Sequence, residues 1–277
     1  MRNEVQSTLP SELFKPFIWY YKYMELDTIG LFKIVPIPFV ELYFNFTHIN
    51  IYSNGYYDLD NPQIHLAGLH QYDQNSFSHM FGTDRNGGFA IVFQPLGFYN
   101  LFKIKSSDFY RYCINGETVF KKDIYHLWEH LQSFHDVNDM KKLFESHFLD
   151  YAKKFYCRFD LINDIISYIG KSNGMIRISQ ICNIYNITTR SLERHFRDEI
   201  GISPKELLQI FRINKAIKLI TDNPDCNLTG ISYLSGYYDQ SHFIKDIKQI
   251  TGISPGYLQG PKTSIETIHN RLFVKTS

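Results

Sequence analysis

The chain has little of what marks several common protein classes. Its 277 residues include only four cysteines, Cys113, Cys157, Cys182 and Cys226, without the spacing of a disulfide framework or a zinc site. We therefore expect reduced thiols in a cytoplasmic protein. No apolar run approaches the roughly 18 residues of a membrane helix, and no secretory leader is recognisable, so we predict no membrane partner.

Patterns for catalysis and metal binding are also missing. The sequence has no Gly-rich phosphate loop and no nucleophile elbow, so we predict no catalytic residue and no cofactor. His126 and His130 are four residues apart in a helical pattern and could both touch one metal, but the glutamate of the zinc-protease order does not follow His126. The sequence therefore predicts neither a metal site nor an enzyme.

Charge of one sign is not in excess either, since the formal net charge is +1. A nucleic-acid partner therefore cannot be inferred from net charge. The length indicates more than one domain, and 44% apolar with 21% charged residues is typical of globular proteins.

The most informative feature is a duplication. The stretch Gly201-Ile202-Ser203-Pro204 recurs as Gly252-Ile253-Ser254-Pro255, with a similar helical pattern before each copy. Two copies are too few for a solenoid, which needs three or more units to bury a continuous core. We predict a compact pair of helical units.

The first unit has the pattern of a helix-turn-helix. An apolar stripe ends at Tyr185, a turn follows, and Thr188 can cap a second helix whose predicted buried face includes Leu192, Phe196 and Ile200. The opposite face is rich in long hydrogen-bonding side chains. On this face we predict DNA contacts for Thr189, Arg190, Glu193, Arg194 and Arg197. The alternative is a solvated charged face.

The second unit repeats the pattern. Gly236 supplies a turn where a positive φ is cheap, and Phe243, Ile247 and Ile250 form the predicted buried stripe of its second helix. The predicted DNA contacts of this unit are Gln240, Ser241, His242, Lys245 and Lys248.

A long helix is predicted between the units. Ser203-Pro204-Lys205-Glu206 has the order of a capping box with proline at the first helical position, and the helix ends near Asn223. A stiff connector would hold the two second helices at a fixed separation, suited to neighbouring major-groove segments roughly 34 Å apart.

At these residues the chain resembles the AraC/XylS family of bacterial transcription regulators in their DNA-binding domain. The resemblance covers about residues 159–259. The matching positions are Leu192, Arg194 and Phe196, both Gly-x-Ser-Pro stretches, Arg212 and Ala216 of the connector, Gly236-Tyr237, Ser241, Phe243 and Lys245. The resemblance implies sequence-specific binding to double-stranded DNA.

Four positions depart from the family pattern. Lys245 stands in place of an arginine, Ile247 in place of a phenylalanine, and Cys182 and Ser232 in place of the alanine expected on the first helix of each unit. Because lysine cannot make the bidentate contact of arginine to guanine, we expect weaker base reading by the second unit.

The first part of the chain is predicted to be mostly antiparallel β structure. Segments 39–46, 88–93 and 97–104 have strand composition, and turn signals lie at 53–55, 61–62 and 85–88. Helical spacing from Ile124 to Phe148 then predicts two amphipathic helices that close this domain. The predicted fold class is α+β.

This part contains the run Phe93-Gln94-Pro95-Leu96-Gly97-Phe98-Tyr99-Asn100-Leu101-Phe102. Through this run above all, it resembles the cupin-like sensory domain of many AraC-type proteins, which implies a small-molecule effector or pairing of two subunits. A pocket lined by Trp19, Tyr20, Phe44 and Phe93 is one hypothesis, and an aromatic core is the alternative. The helices at 122–150 are predicted either to form a homodimer interface or to pack on their own sheet.

We thus predict a cupin-like effector-binding or dimerisation domain at 1–155, a double helix-turn-helix DNA-binding domain at 156–260 and a tail at 261–277. The predicted function is a DNA-binding transcription regulator, with RNA polymerase as a further candidate partner. The alternative is an enzyme or small-molecule carrier with an appended helical domain, although neither Cys113 nor Cys157 lies in the setting of a reactive cysteine.

Overall fold

The structure is a computed structural model, and it describes the chain in thirteen segments. These are residues 4–26, 31–33, 40–46, 50–53, 56–57, 64–67, 78–80, 86–106, 113–121, 123–156, 161–223, 225–251 and 254–259. The predicted turns at 54–55 and 61–62, Cys157, the pair Gly252-Ile253 and the predicted tail at 261–277 lie outside the described residues.

Ten described strands form two antiparallel sheets. The first sheet has the order β1-β2-β9-β4-β7-β10 and the second has the order β3-β8-β5-β6. The strands are β1 Glu4–Thr8, β2 Ile18–Leu26, β3 Leu31–Lys33, β4 Glu41–Asn45, β5 Asn50–Ser53, β6 Tyr56–Tyr57, β7 Ile64–Ala67, β8 Ser78–Met80, β9 Asn86–Phe93 and β10 Cys113–Asn115. The predicted α+β class is confirmed.

One face of the six-stranded sheet carries the N-terminal core. Phe44 of β4 pairs with Phe89 of β9, and both are fully buried. Five described helices belong to this part, the first between β9 and β10 and the others after β10: α1 Gly97–Phe102, α2 Gly116–Phe120, α3 Asp123–Leu131, α4 Val137–His147 and α5 Leu149–Phe155. The apolar stripes of α3 and α4 pack into this core through Ile124, Leu127, Leu131, Met140 and Phe144. The apolar faces at 122–150 thus cover their own sheet.

Two local predictions in this part were wrong. The segment 97–104 is not a strand, because Gly97 begins helix α1. A Cβ atom on Gly97 would lie 1.7 Å from the carbonyl oxygen of Phe17, so only glycine allows the chain to turn here. Phe98, Leu101 and Phe102 have helical spacing and are buried. The predicted turn at 85–88 is also wrong where it is described, since Asn86–Phe93 is strand β9.

The remaining described chain is helical. It contains α6 Leu161–Lys171, α7 Ile178–Tyr185, α8 Thr189–His195 with a π-helical continuation at Phe196–Ile200, α9 Pro204–Asp222, α10 Leu228–Leu234, α11 Gln240–Thr251 and α12 Pro255–Leu258. Among the helices described, none combines the length and the apolar character that crossing a membrane requires.

Candidate nucleic-acid interface

The first helix-turn-helix unit consists of α7, a short turn and α8. Asn186 closes α7 in the left-handed conformation with φ of 49°, which asparagine tolerates better than most residues. The hydroxyl of Thr188 accepts a hydrogen bond from the Ser191 amide at 3.1 Å and so caps α8, as predicted. Leu192 and Phe196 are fully buried and hold α8 against the rest of the unit.

We call residues 189–200 the first reading helix, because α8 continues without a break into the π-helical turn that Gly201 ends at φ of 88°. The side chains predicted to contact DNA are all exposed here, namely Thr189, Arg190, Glu193, Arg194 and Arg197. Near the end of this helix His195 Nδ1 lies 2.6 Å from Glu199 Oε1. The outer face of the helix is therefore open to a partner.

The second unit consists of α10, a turn at Gly236 with φ of 81°, and α11. We call α11 the second reading helix. Asp239 caps it by accepting a hydrogen bond from the His242 amide at 2.7 Å. Phe243 and Ile247 are fully buried, as predicted, whereas the side chain of Ile250 lies outside the described ones.

The predicted contact residues of the second unit differ in accessibility. Ser241, His242, Lys245 and Lys248 are exposed, while Gln240 is half-buried. The side-chain oxygen of Gln240 accepts a hydrogen bond from the Thr229 hydroxyl at 2.8 Å. Its amide nitrogen is the group left to donate, and this arrangement does not suit the bidentate reading of adenine that glutamine can otherwise make.

A single helix, α9, connects the units and belongs to both of their cores. It begins with the predicted capping box, in which Ser203 and Glu206 exchange hydrogen bonds of 3.2 and 2.7 Å. Leu207, Leu208 and Ile210 pack with the first unit. Ile213, Ala216, Ile217 and Ile220 pack with the second unit. Because both cores close on one continuous helix, the orientation of the first unit relative to the second is set by packing.

The N-terminal amides of the two reading helices, near Thr188 and Asp239, are further candidates for phosphate contacts. Two of these amides already have partners, because Thr188 accepts from Ser191 and Asp239 accepts from His242. Side chains rather than these two amides are therefore the better candidates for phosphate contacts.

The structure also shows a contact that the sequence analysis missed. Leu96 follows strand β9 of the N-terminal part, yet it is fully buried in the core of the first helix-turn-helix unit with Ile162, Leu192 and Phe196. The buried Ser106 hydroxyl donates to the carbonyl oxygen of Glu199 at 3.3 Å. The N-terminal part thus touches the first reading helix at its π-helical end. The apolar Leu96 in a turn was the only signal for this contact.

The four aromatic residues of the pocket hypothesis do not line one space. Phe44 and Phe93 are fully buried in the core between the sheet and the helices. Tyr20 pairs with Val92, so it points to the opposite sheet face from Phe44, which pairs with Phe89. The rings of Trp19 and Tyr20 make an edge-to-face contact, with 5.6 Å between their centroids.

The face that carries Tyr20 also carries charged residues. Lys22 and Tyr43 both pair with Ala90 of β9, while Tyr20 and Glu41 both pair with Val92. Lys22 is buried, and burial raises the pKa of Glu41 although Lys22 acts to lower it. The described residues hold no group of three or more metal-ligating His, Cys, Asp or Glu side chains.

Sequence comparison with known protein families and proteins finds matches in the helical part of the chain. Residues 181–259 match the model of a helix-turn-helix domain. An 88-residue segment is 26% identical to the HTH-type transcriptional regulator MtrA of Neisseria gonorrhoeae, covering 32% of this chain and 29% of that protein. The chain therefore matches less than a third of this relative's length.

Solved structures with similarity include ToxT from Vibrio cholerae. The likeness spans 92% of this chain and 96% of ToxT, with 18% identity and a TM-score of 0.45. The C-terminal domain of AraT, a response regulator from Geobacillus stearothermophilus, matches 37% of this chain and 87% of its own length, with 24% identity and a TM-score of 0.35.

Proposed function

We infer that this chain belongs to the AraC family of DNA-binding transcription regulators. This inference rests on the two helix-turn-helix units. Their reading helices expose polar faces, and both of their cores pack on the single helix α9. The family match to residues 181–259 supports the same conclusion. The proposed partner is double-stranded DNA, read in successive major-groove segments.

We propose that the first reading helix makes the principal base contacts. Arg190 and Arg194 are exposed and can each present two donors to the O6 and N7 atoms of guanine, and Glu193 can accept from the cytosine amine. Arg197 lies in the π-helical turn that follows α8, and Thr189 is the first residue of α8. These two residues are assigned to phosphates, which set affinity and register without sequence preference.

The second reading helix is assigned a complementary set of contacts. Ser241, His242 and Lys245 are exposed, and Gln240 keeps its amide nitrogen as a donor toward base edges. Lys248 is assigned to phosphate. Because Lys245 is a single point charge, we expect fewer base-specific contacts here than in the first unit.

We propose that the N-terminal part controls the first unit through the contact made by Leu96 and Ser106. A shift of strand β9 would move Leu96 within the core that positions the first reading helix. A small effector is assigned to the sheet face with the buried Lys22 and the half-buried Glu41, whose charged groups suit a polar ligand. Mass spectrometry of the natively purified protein tests this assignment by identifying any bound small molecule.

Pairing of two subunits and contact with RNA polymerase remain proposals. The apolar faces of α3 and α4 are used inside the N-terminal core, so a dimer through 122–150 would rest on their half-buried and exposed residues. Analytical ultracentrifugation of the full chain, with and without DNA, measures the subunit number.

The function is tested by binding to labelled duplex DNA at several salt concentrations. Arg194→Ala should lose roughly 1–3 kcal/mol at particular base positions, whereas Lys248→Ala should weaken all sequences alike. Lys142→Ala is the matched control, because Lys142 is an exposed cation of α4 far from both reading helices in the chain. Equal binding of selected and random duplexes by the unmodified protein would refute the function.

A further inference from the structure

A buried carboxylate lies beneath the second reading helix. Asp246 is only 5% exposed, although it belongs to α11 and directly precedes the buried Ile247. A buried charge is costly unless nearby groups compensate it. Its Oδ1 atom lies 3.5 Å from Nε2 of His242, one turn earlier on the same helix. Asp246 therefore faces a residue that is assigned to DNA.

Tyr237 and Arg212, from two other parts of the second unit, lie around this carboxylate. Tyr237 precedes α11 and packs edge-on against the His242 ring, with 5.4 Å between centroids. Arg212 of α9 places its guanidinium 5.5 Å from the centroid of the Tyr237 ring. Burial raises the pKa of the Tyr237 hydroxyl, Asp246 raises it further and Arg212 lowers it, so both charges lie close to this hydroxyl. Asp246 is thus held in a packed cluster rather than on a mobile surface.

His242 connects this cluster to the solvent-exposed surface. Its side chain is 57% exposed, in contrast to the 6% of Asp246. A neutral imidazole carries hydrogen on one nitrogen and accepts a hydrogen bond at the other. The hydrogen-bond partner of one ring nitrogen therefore decides whether the other nitrogen acts as a donor or as an acceptor.

We propose that Asp246 is a positioning residue for base reading. Its carboxylate accepts the hydrogen on Nε2 of His242, which leaves Nδ1 as an acceptor on the exposed ring. In the major groove an acceptor pairs with an exocyclic amino group, so His242 reads the N6 amine of adenine or the N4 amine of cytosine. This inference rests on the proposed function, because it assigns one base contact of the second unit.

The first unit is built differently at the same place. The positions equivalent to His242 and Asp246 are Ser191 and His195, and His195 pairs with Glu199 further along its own helix. The first unit has Arg194 for base reading where the second has Lys245. A positioned histidine therefore adds base discrimination to the unit that lacks the arginine.

The first test needs no DNA. Nitrogen-15 NMR of the full chain reports which nitrogen of His242 carries hydrogen, with His242→Ala used to assign the signal. We expect hydrogen on Nε2 in the unmodified protein and a shift toward the other tautomer in Asp246→Ala, which removes the acceptor. Hydrogen on Nδ1 in the unmodified protein, or no change in Asp246→Ala, would overturn the proposal even if DNA binding is normal.

The second test measures discrimination among duplexes that differ at single base pairs. His242→Ala and Asp246→Ala should each lose the same preference for an amino group at one position, by about 2- to 12-fold, the value of one hydrogen bond. Asp246→Ala should cause no further loss in the His242→Ala background. Asp225→Ala, at an exposed site before α10, is the matched control for loss of one negative charge.

The outcomes distinguish a failure of the positioning role of Asp246 from a failure of the proposed DNA-binding function. Loss spread evenly over all base positions in Asp246→Ala, or an additional loss in the double variant, would overturn the positioning role. Absence of any preferred duplex for the unmodified protein would instead refute the proposed function. In that case the NMR result still decides whether Asp246 sets the tautomer.

Discussion

Leu96→Ala tests whether the N-terminal part is physically coupled to the first reading helix. Leu96 has no exposed surface, and its side chain packs in the core that also contains Leu192 and Phe196. Truncation of a fully buried leucine typically costs about 2–5 kcal/mol, the spread depending on how far the cavity collapses. Loss of the Ser106 hydrogen bond to Glu199 would cost only about 0.5–1.5 kcal/mol, so the Leu96 packing dominates this contact.

A loss of about 3 kcal/mol of stability makes local opening of this core more frequent by on the order of 100-fold. Hydrogen exchange followed by mass spectrometry locates this opening along the chain. We expect faster exchange in peptides covering α6 to the end of the first reading helix. Leu131→Ala is the matched control, because Leu131 is equally buried but lies in the N-terminal core, and its effect should fall within α3 and α4.

The coupling would be refuted if Leu96→Ala increased exchange only in the strands and helices before residue 156. That result would mean that the first unit keeps its packing without Leu96. Faster exchange in both regions would support a shared core, because loosening of one side would then reach the other.

Four further substitutions test the two units themselves. Thr188→Ala should lower the free energy of unfolding by about 0.5–2 kcal/mol in thermal denaturation, since it removes the cap of α8; an unchanged melting temperature would exclude a role for the cap. Gly236→Ala should cost roughly 1–2 kcal/mol because of its left-handed backbone, whereas Gly230→Ala in α10, where a Cβ meets nothing within 4 Å, should stabilise the protein. Lys248→Ala should reduce the slope of log affinity against log salt by about 0.9, and an unchanged slope would remove Lys248 from the phosphate contacts.

Much of the helical part could be predicted because its signals are local. The cap at Thr188, the capping box at Ser203 and the turn at Gly236 each depend on residues within one helical turn, and all three are present in the structure. The strand prediction for 97–104 was wrong because it relied on amino-acid composition and not on the spacing of the apolar residues. Its aromatic residues favour strands, but their period matches a helix that starts where Gly97 approaches Phe17.

Contacts between distant parts of the chain could not be predicted. Phe44 and Tyr20 both belong to aromatic strands, and only the strand register places them on opposite faces of the sheet. The DNA contacts of both reading helices remain predictions that the exposure of their side chains supports.

The sequence by itself determined the duplicated units, their caps and the helix between them, because hydrophobic period and capping chemistry act over a few residues. Only the tertiary structure decided that Leu96 enters the core of the first unit and that the carboxylate of Asp246 is buried. Such contacts follow from how packed surfaces fit together, and neither residue type nor spacing along the chain encodes that fit locally.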